Sequence, residues 1–309
     1  MRIKVFLFHR VSPKRDPLWD PISPERFDSI IRYITKTHCI VSLEDQILSN
    51  ESELKASKQL AAIVFDDGYK DFLEYALPIL KKYKCPSSMY IVTECVNKNI
   101  PPWTYILDYH FSNSNKSEIK LNQELLPRTL HINTFNNTNA KLLFAKEFKL
   151  YLKQISNSKR VQLYQQAIES FNDVKISSDL MLNWHDLRQI KQEGVEIGSH
   201  SATHPLLAQL ETESEITQEI KGSGLIIQQQ LGHFPRTISY PIGSYNNLVK
   251  KIAKESDYKL GLAVNQQFYN SRVNDMYEIP RVELYNQNFI KTNLRISGLT
   301  SKFNNWMKQ

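Results

Sequence analysis

The sequence predicts an α/β protein built from βα units around a parallel sheet, and three observations carry that prediction. Short apolar runs alternate along the chain with helical patterns whose apolar residues recur at i, i+3, i+4 and i+7. Some runs, such as Leu60 to Phe65, are continuously apolar, as strands covered on both faces must be. The 309 residues, 41% hydrophobic with only 9 Gly and 13 Pro, supply a large core and exclude a disordered, collagen-like or disulfide-stapled chain. That length suits either one α/β barrel with insertions or two average domains.

Val5 to Phe8 is the first candidate strand. Ser23 then caps a helix with Pro24 at its first position, and Phe27, Ile30, Ile31 and Ile34 share one face of it. Leu60 to Phe65 is the next strand. Phe72, Tyr75, Ala76, Ile79 and Tyr83 mark the helix after it, which Pro78 should bend because it has no N–H to donate. Met89 to Val92 follows as a strand. Asn183 and Asp186 cap a helix containing Trp184, Leu187 and Ile190; Gly194 ends it, and Val195 to Gly198 is the strand beyond. Thr212 and Glu215 form a capping box before Ile216, Ile220, Ile227 and Leu231, with Gly232 at the stop. Ile238 to Tyr240, Leu260 to Val264 and Ile279 to Leu284 complete about seven strands, with Leu248, Val249, Ile252 and Ala253 helical between the first two.

Between Asn97 and Ser178 this rhythm breaks. Asn- and Ser-rich pieces surround a helical pattern of Leu142, Leu143, Phe144, Phe148, Tyr151 and Leu152. Insertions on such scaffolds lie in surface loops, so residues 98–178 read as a mainly helical cap within a single domain spanning 1–309, a separate domain being the alternative.

Lys and Arg number 39 against 32 Asp and Glu, a net charge of +7 that favours an anionic partner: an acidic glycan, a phospholipid surface or nucleic acid. The bias is spread along the chain, which argues against a dedicated nucleic-acid binder. Its densest stretch, Lys141 to Lys159, also holds a regular apolar pattern and reads as a solvated helix face. Cys39, Cys85 and Cys95 form no C-x-x-C, and an extended chain between the last two holds them roughly 30 Å apart, beyond disulfide reach. A reducing compartment follows. The run from Val5 to Phe8 is too short for a secretory signal, and no run of about 18 apolar residues occurs. The expectation is a cytoplasmic protein without a transmembrane segment, in peripheral contact at most with the inner face of the membrane.

Three motifs carry chemistry. Phe65-Asp66-Asp67-Gly68 stands where an apolar run stops; adjacent carboxylates repel unless a cation or shared proton stabilises them, although a lone pair of this kind also serves as a helix cap. His200-Ser201-Ala202-Thr203-His204 follows the Val195 to Gly198 strand, and two imidazoles four residues apart reach a common point. Two His and one Asp bind a divalent cation and leave positions open for water and substrate. In a β/α barrel both motifs fall at the C-terminal ends of strands, where catalytic residues belong. The third, Ser239-Tyr240-Pro241-Ile242-Gly243, turns the chain sharply and exposes the Ile242 N–H as a candidate oxyanion donor.

In this order F-D-D-G, G-S-H-S-x-x-H-P and Y-P-x-G resemble the polysaccharide deacetylase family, the NodB-homology domain, from Leu60 to Asn265. The resemblance implies a distorted (β/α) barrel and metal-dependent hydrolysis of an acyl group, usually N-acetyl on an amino sugar, at an amide that is not a peptide bond. It implies Asp66 as general base and Asp67, His200 and His204 as ligands of one divalent cation, zinc first, with iron, cobalt or nickel suited to the same donors. The Ile242 N–H would help hold the oxyanion. The chain departs from the pattern twice. Ser239 stands where an Arg usually orients the base, and the usual C-terminal Leu-x-His, source of the acid, is absent because the last histidine is His233.

Leu7-Phe8-His9 has the Leu-x-His spelling at the end of the first strand, and is similar to permuted members acting on exported poly-N-acetylglucosamine. His9 is therefore the candidate acid, a structural hydrogen bond being the alternative. Arg281, in Pro280-Arg281-Val282, is the candidate guanidinium, against a surface Arg. Tyr240 and Trp103 are candidate substrate contacts, Trp103 by stacking on a sugar, against a place in the core. His38, His110, His131 and His185 have no partner pattern. The expected substrate is an amino sugar in a polysaccharide or in a lipid- or nucleotide-linked intermediate. The rival readings are an O-acetyl carbohydrate esterase and a non-catalytic sugar- or membrane-binding barrel.

Overall fold

A computed structural model of the protein describes residues 1–49 and 58–298, and within them nine strands join in one sheet. They are β1 Arg2–Phe8, β2 His38–Ile40, β3 Gln59–Phe65, β4 Ser87–Ile91, β5 Glu196–Ser199, β6 Thr237–Ser239, β7 Leu260–Leu262, β8 Tyr269–Asn270 and β9 Val282–Glu283. The order is β7-β6-β5-β4-β3-β1-β8, with β2 also on β3 and β9 also on β1. All pairings are parallel except β1 with β8. The seven strands expected from the sequence, β1, β3, β4, β5, β6, β7 and β9, are all present and pair in parallel; β2 and the antiparallel β8, too short to show a period in sequence, are added to them and make the sheet mixed. The last segment spans the two ends of the curled sheet. Ile279 bridges Leu262 of β7, and Val282 pairs with Phe6 of β1. This irregular join, where the expected Ile279 to Leu284 strand shrinks to two residues, is the distortion of the barrel.

Strand parity divides the core in two. On β1 and β3, which pair in register from Ile3 with Leu60 to Phe8 with Phe65, Phe6, Phe8, Ala61, Ile63 and Phe65 face outward beneath the helices. There they meet Phe27, Ile30, Ile31 and Ile34 of the Pro24–Thr37 helix, whose Ser23 accepts the Arg26 N–H as N-cap. Val5, Leu7, Ala62 and Val64 face inward and fill the barrel with Tyr90, Leu260, Leu262 and Ile279. Gly198 on β5 permits this filling: a Cβ there would meet the Tyr90 ring at 2.4 Å and the Thr237 carbonyl at 2.8 Å.

The helix after β3 begins as a π-turn over Phe72–Ala76, with the Leu77 N–H donating to the Phe72 carbonyl, before an α-turn over Leu77–Lys82. The wider turn accommodates Pro78, which cannot donate to Glu74. Both capping boxes, at Asn183 with Asp186 and at Thr212 with Glu215, are formed.

Residues 98–178 fold as helices Trp103–Asn113, Thr138–Leu152 and Asn157–Ser170 around a core of Leu107, Phe111, Phe144, Phe148, Leu163 and Phe171. Leu206 and Ile242, from loops at the C-terminal ends of the strands, pack into the same core, so the insertion sits over that end of the barrel. No described helix is long and apolar enough to cross a membrane.

Candidate active site

Parity also points the chemistry inward. His9 continues the inward series Val5, Leu7, and Asp66 continues Ala62, Val64. Arg281 and Glu283 follow Ile279 at steps of two. These groups, except the covered Arg281, line one cavity of about 230 Å³ with Asp67, His200, His204 and Ile242.

The backbone around them is strained. Asp67, Ser201, His204 and Ile242 all have positive φ, at 76°, 67°, 62° and 58°. For a β-branched residue such as Ile242 this is rare, and each such residue costs on the order of 1–3 kcal/mol. These positive φ values turn the chain beyond the ends of β3, β5 and β6, where Asp67, His204 and Ile242 line the cavity.

Asp67, His200 and His204 present ligand atoms that all lie within 4.8 Å of one another. Nε2 of each histidine is 3.4 Å from Asp67 Oδ1. His200 Nδ1 donates to the Ser239 carbonyl at 2.8 Å, which leaves the Nε2 lone pair facing Asp67. Asp67 Oδ1 is buried without a hydrogen-bond partner. A buried carboxylate oxygen left bare among imidazoles fits a cation, and these residues suit a divalent one. Burial raises the Asp67 carboxyl, but the His200 and His204 imidazoles beside it more than offset this and hold it below its usual range. Burial also drives His204 down to about 3, so that it stays a neutral ligand.

Asp66, beside them, is gripped by a guanidinium. Arg281 Nη1 donates to Asp66 Oδ1 at 2.8 Å and Nη2 to Oδ2 at 2.9 Å, while Nε donates to the Ala263 carbonyl at 3.0 Å. Arg281 is 0% exposed, so the surface alternative is excluded. Ser239 completes the grip: its hydroxyl donates to Asp66 Oδ2 at 3.0 Å and accepts from Arg281 Nη2 at 2.9 Å. A guanidinium from beside β9 thus reaches Asp66 over the small residue on β6. Burial pushes the Asp66 carboxyl up, but Arg281, with His200, more than offsets it and holds the group well below the carboxylate range.

His9 faces the same cavity, its Nδ1 3.4 Å from Glu283 Oε1 and its ring edge-on to Trp19. Two expected substrate contacts are corrected. Tyr240 follows the inward Ser239 and so points outward; it is fully buried, stacks on Tyr245 and donates to the Tyr277 carbonyl at 3.0 Å. Trp103, 7% exposed, lies in the cap core under Arg160 and donates to the His204 carbonyl at 3.0 Å, so it holds the His204 loop instead of meeting a sugar.

The cavity also holds Trp19, Thr104, Asp108, Lys149, Lys153 and Glu283, which the sequence reading did not single out. Glu283 was signalled by its two-residue step from Arg281. Trp19 sits in a loop without periodicity. Lys149 and Lys153 belong to the basic stretch read as a solvated face, which in fact turns these two lysines to the barrel.

Comparison with known proteins agrees with this geometry. The family model for polysaccharide deacetylase matches residues 53–261. The chain belongs to the polysaccharide deacetylase family. Poly-β-1,6-N-acetyl-D-glucosamine N-deacetylase of Staphylococcus aureus (strain N315) is 20% identical over 281 residues, covering 91% of this chain and 73% of that one. Among solved structures, the Streptococcus pyogenes deacetylase PplD in complex with acetate aligns with a TM-score of 0.62 at 21% identity, over 94% of this chain and 98% of that chain. A de-N-acetylase from Aggregatibacter actinomycetemcomitans gives 0.61 at 18% identity, over 95% and 98%. These likenesses make the polysaccharide deacetylase a carbohydrate-acting hydrolase with the (β/α)-barrel fold of its neighbours.

Proposed function

We propose that the protein removes the N-acetyl group of an amino sugar in a glycan by hydrolysis, with one divalent cation, zinc first, held by Asp67, His200 and His204. The observation that carries this reading is Asp66, clamped by Arg281 and Ser239, with its Oδ2 3.7 Å from His200 Nε2 beside the three donors. A cation bound there polarises the acetamide carbonyl and acidifies water. Asp66 accepts the proton of the attacking water. The two-pronged contact with Arg281 keeps that carboxylate ionised and fixes its direction. The Ile242 N–H donates to the oxyanion of the tetrahedral intermediate. His9 delivers a proton to the leaving nitrogen, which is too basic to depart as an anion; Glu283, beside Nδ1, orients the ring so that Nε2 serves that role.

An acid placed across the cavity from the base favours amide over ester hydrolysis, because an alkoxide leaves without such help. The substrate class we assign is N-acetylglucosamine in a polysaccharide, the linkage named for the staphylococcal relative being the first to test, with phosphate- or lipid-linked forms suggested by the +7 charge. The test is acetate release from β-1,6-linked N-acetylglucosamine oligomers by metal-loaded protein and by Asp66→Asn. Release that requires the metal and Asp66 supports the reading; release indifferent to Asp66→Asn overturns it.

A further inference from the structure

The catalytic cavity contains more charge than deacetylation of a neutral sugar requires. Four carboxylates face or border it, and each has a partner among the described residues: Asp66 has Arg281, Asp67 the imidazoles of His200 and His204, Asp108 has Lys149, and Glu283 has His9 and the Tyr285 hydroxyl. Lys149 is thereby committed to Asp108. Lys153, one helical turn beyond Lys149 at the end of the Thr138–Leu152 helix, lines the same cavity and has no carboxylate within ion-pair distance among the described residues. Burial, and then the neighbouring charge of Lys149, lower its affinity for the proton, while Asp108 and Glu283 oppose this from a distance. It is a cation short of a counter-ion, held over an acetamide-hydrolysing centre.

Its position is also fixed in advance. Leu152 is wholly buried in the cap core, and the Lys153 carbonyl accepts the Gln209 side-chain amide at 2.7 Å, which pins this end of the helix to the barrel. A long side chain on so rigid a base loses less freedom on meeting a ligand than a surface lysine does.

Resting on the N-deacetylase reading above, we propose that Lys153, backed by Lys149, forms an anion subsite in the catalytic cavity. The substrate is then a glycan in which the acetamido sugar carries or adjoins a negative group, a phosphate or a carboxylate. An ammonium-to-anion hydrogen bond in a partly dry pocket is worth about tenfold to a hundredfold in recognition.

The test uses the metal-loaded full chain and three trisaccharides of β-1,6-linked N-acetylglucosamine: one neutral, one with a terminal 6-phosphate and one ending in a uronic acid. The wild type is expected to favour one or both charged forms in kcat/KM by about tenfold or more. In Lys153→Gln the ratio of charged to neutral kcat/KM falls by about the same factor, through KM, and Lys153→Arg restores it. The arm that shows the preference names the group. Calorimetric binding of the phosphorylated trisaccharide, which needs no turnover, separates the two readings. Tighter binding than the neutral form, lost in Lys153→Gln, sustains the subsite even if no acetate is released. Acetate released with equal efficiency from all three, or a ratio that Lys153→Gln leaves unchanged, overturns the subsite and leaves the deacetylase reading standing.

Discussion

Replacing Arg281 by Met should disable the base and weaken the fold together. Arg281 is fully buried and gives Asp66 two hydrogen bonds, at 2.8 and 2.9 Å, with further bonds to Ser239 and the Ala263 carbonyl. Methionine fills much of the volume but leaves the carboxylate without its cation. Breaking a buried ion pair from one side costs about 3–5 kcal/mol. At roughly 2–4 °C of Tm per kcal/mol for chains of this size, calorimetry should show a fall of about 6–20 °C. The chemical consequence follows from the sign of the shift. Asp66 now titrates below its unfolded value, so its stabilising contribution is present above about pH 4 and lost as pH falls through the folded value. Without Arg281 only the imidazoles oppose burial, so the carboxyl shifts upward, and acetate release drops about 10²–10⁴-fold, recovering partly as pH rises. A lysine in the same place would retain the charge but not the fork, so Arg281→Lys should fall between the two. The pairing is tested by the cycle with Asp66→Asn: Arg281→Met should cost at least about 2 kcal/mol less stability when Asp66 is already neutral. Strictly additive losses, or an Arg281→Met protein that melts within a degree of wild type, would refute this account of the clamp.

Three further outcomes are expected. His9→Ala should lower hydrolysis of an N-acetyl sugar by about 10²–10⁴-fold and of a matched O-acetyl sugar much less, as parallel assays would show; equal losses would remove His9 as acid. Trp103→Phe keeps the ring but deletes the bond to the His204 carbonyl, and should weaken metal affinity about tenfold in a competitive chelator titration, against no change if Trp103 merely fills space. At the other end of the barrel, burial pushes Glu44 up to about 7 although the Thr237 hydroxyl binds it. The folded state then binds more protons than the unfolded one, so stability should decline as pH rises from about 4.5 to 7, and Glu44→Gln should flatten that decline in Tm measured at pH 5 and pH 8.

The sequence made the barrel interior legible wherever a period was long enough to read. β1, β3 and the Pro24–Thr37 helix follow from their apolar spacing, and the carboxylates and histidines stand at strand ends as their motifs required. The same two-residue period, carried through Ser239 to its neighbour, places Tyr240 outside the cavity, against its assignment to substrate. β8 has two residues and no pattern to detect. Lys149 and Lys153 went unseen for another reason: helical spacing separates apolar from polar faces, but only the docking of the cap decides which part of the polar face meets water and which meets the cavity.

The join between the ends of the sheet bears on how the molecule acquires its activity. Asp66 and Arg281 are 215 positions apart in sequence, and the segment carrying Arg281 is also the one that links β7 to β1. A contact of that separation forms only when the segment carrying Arg281 docks between β7 and β1, closing a long loop. Until then Asp66 has no guanidinium beside it. On the mechanism proposed above, competence for hydrolysis therefore requires that the segment joining β7 to β1 be in place, as well as Asp67, His200 and His204 beyond the ends of β3 and β5.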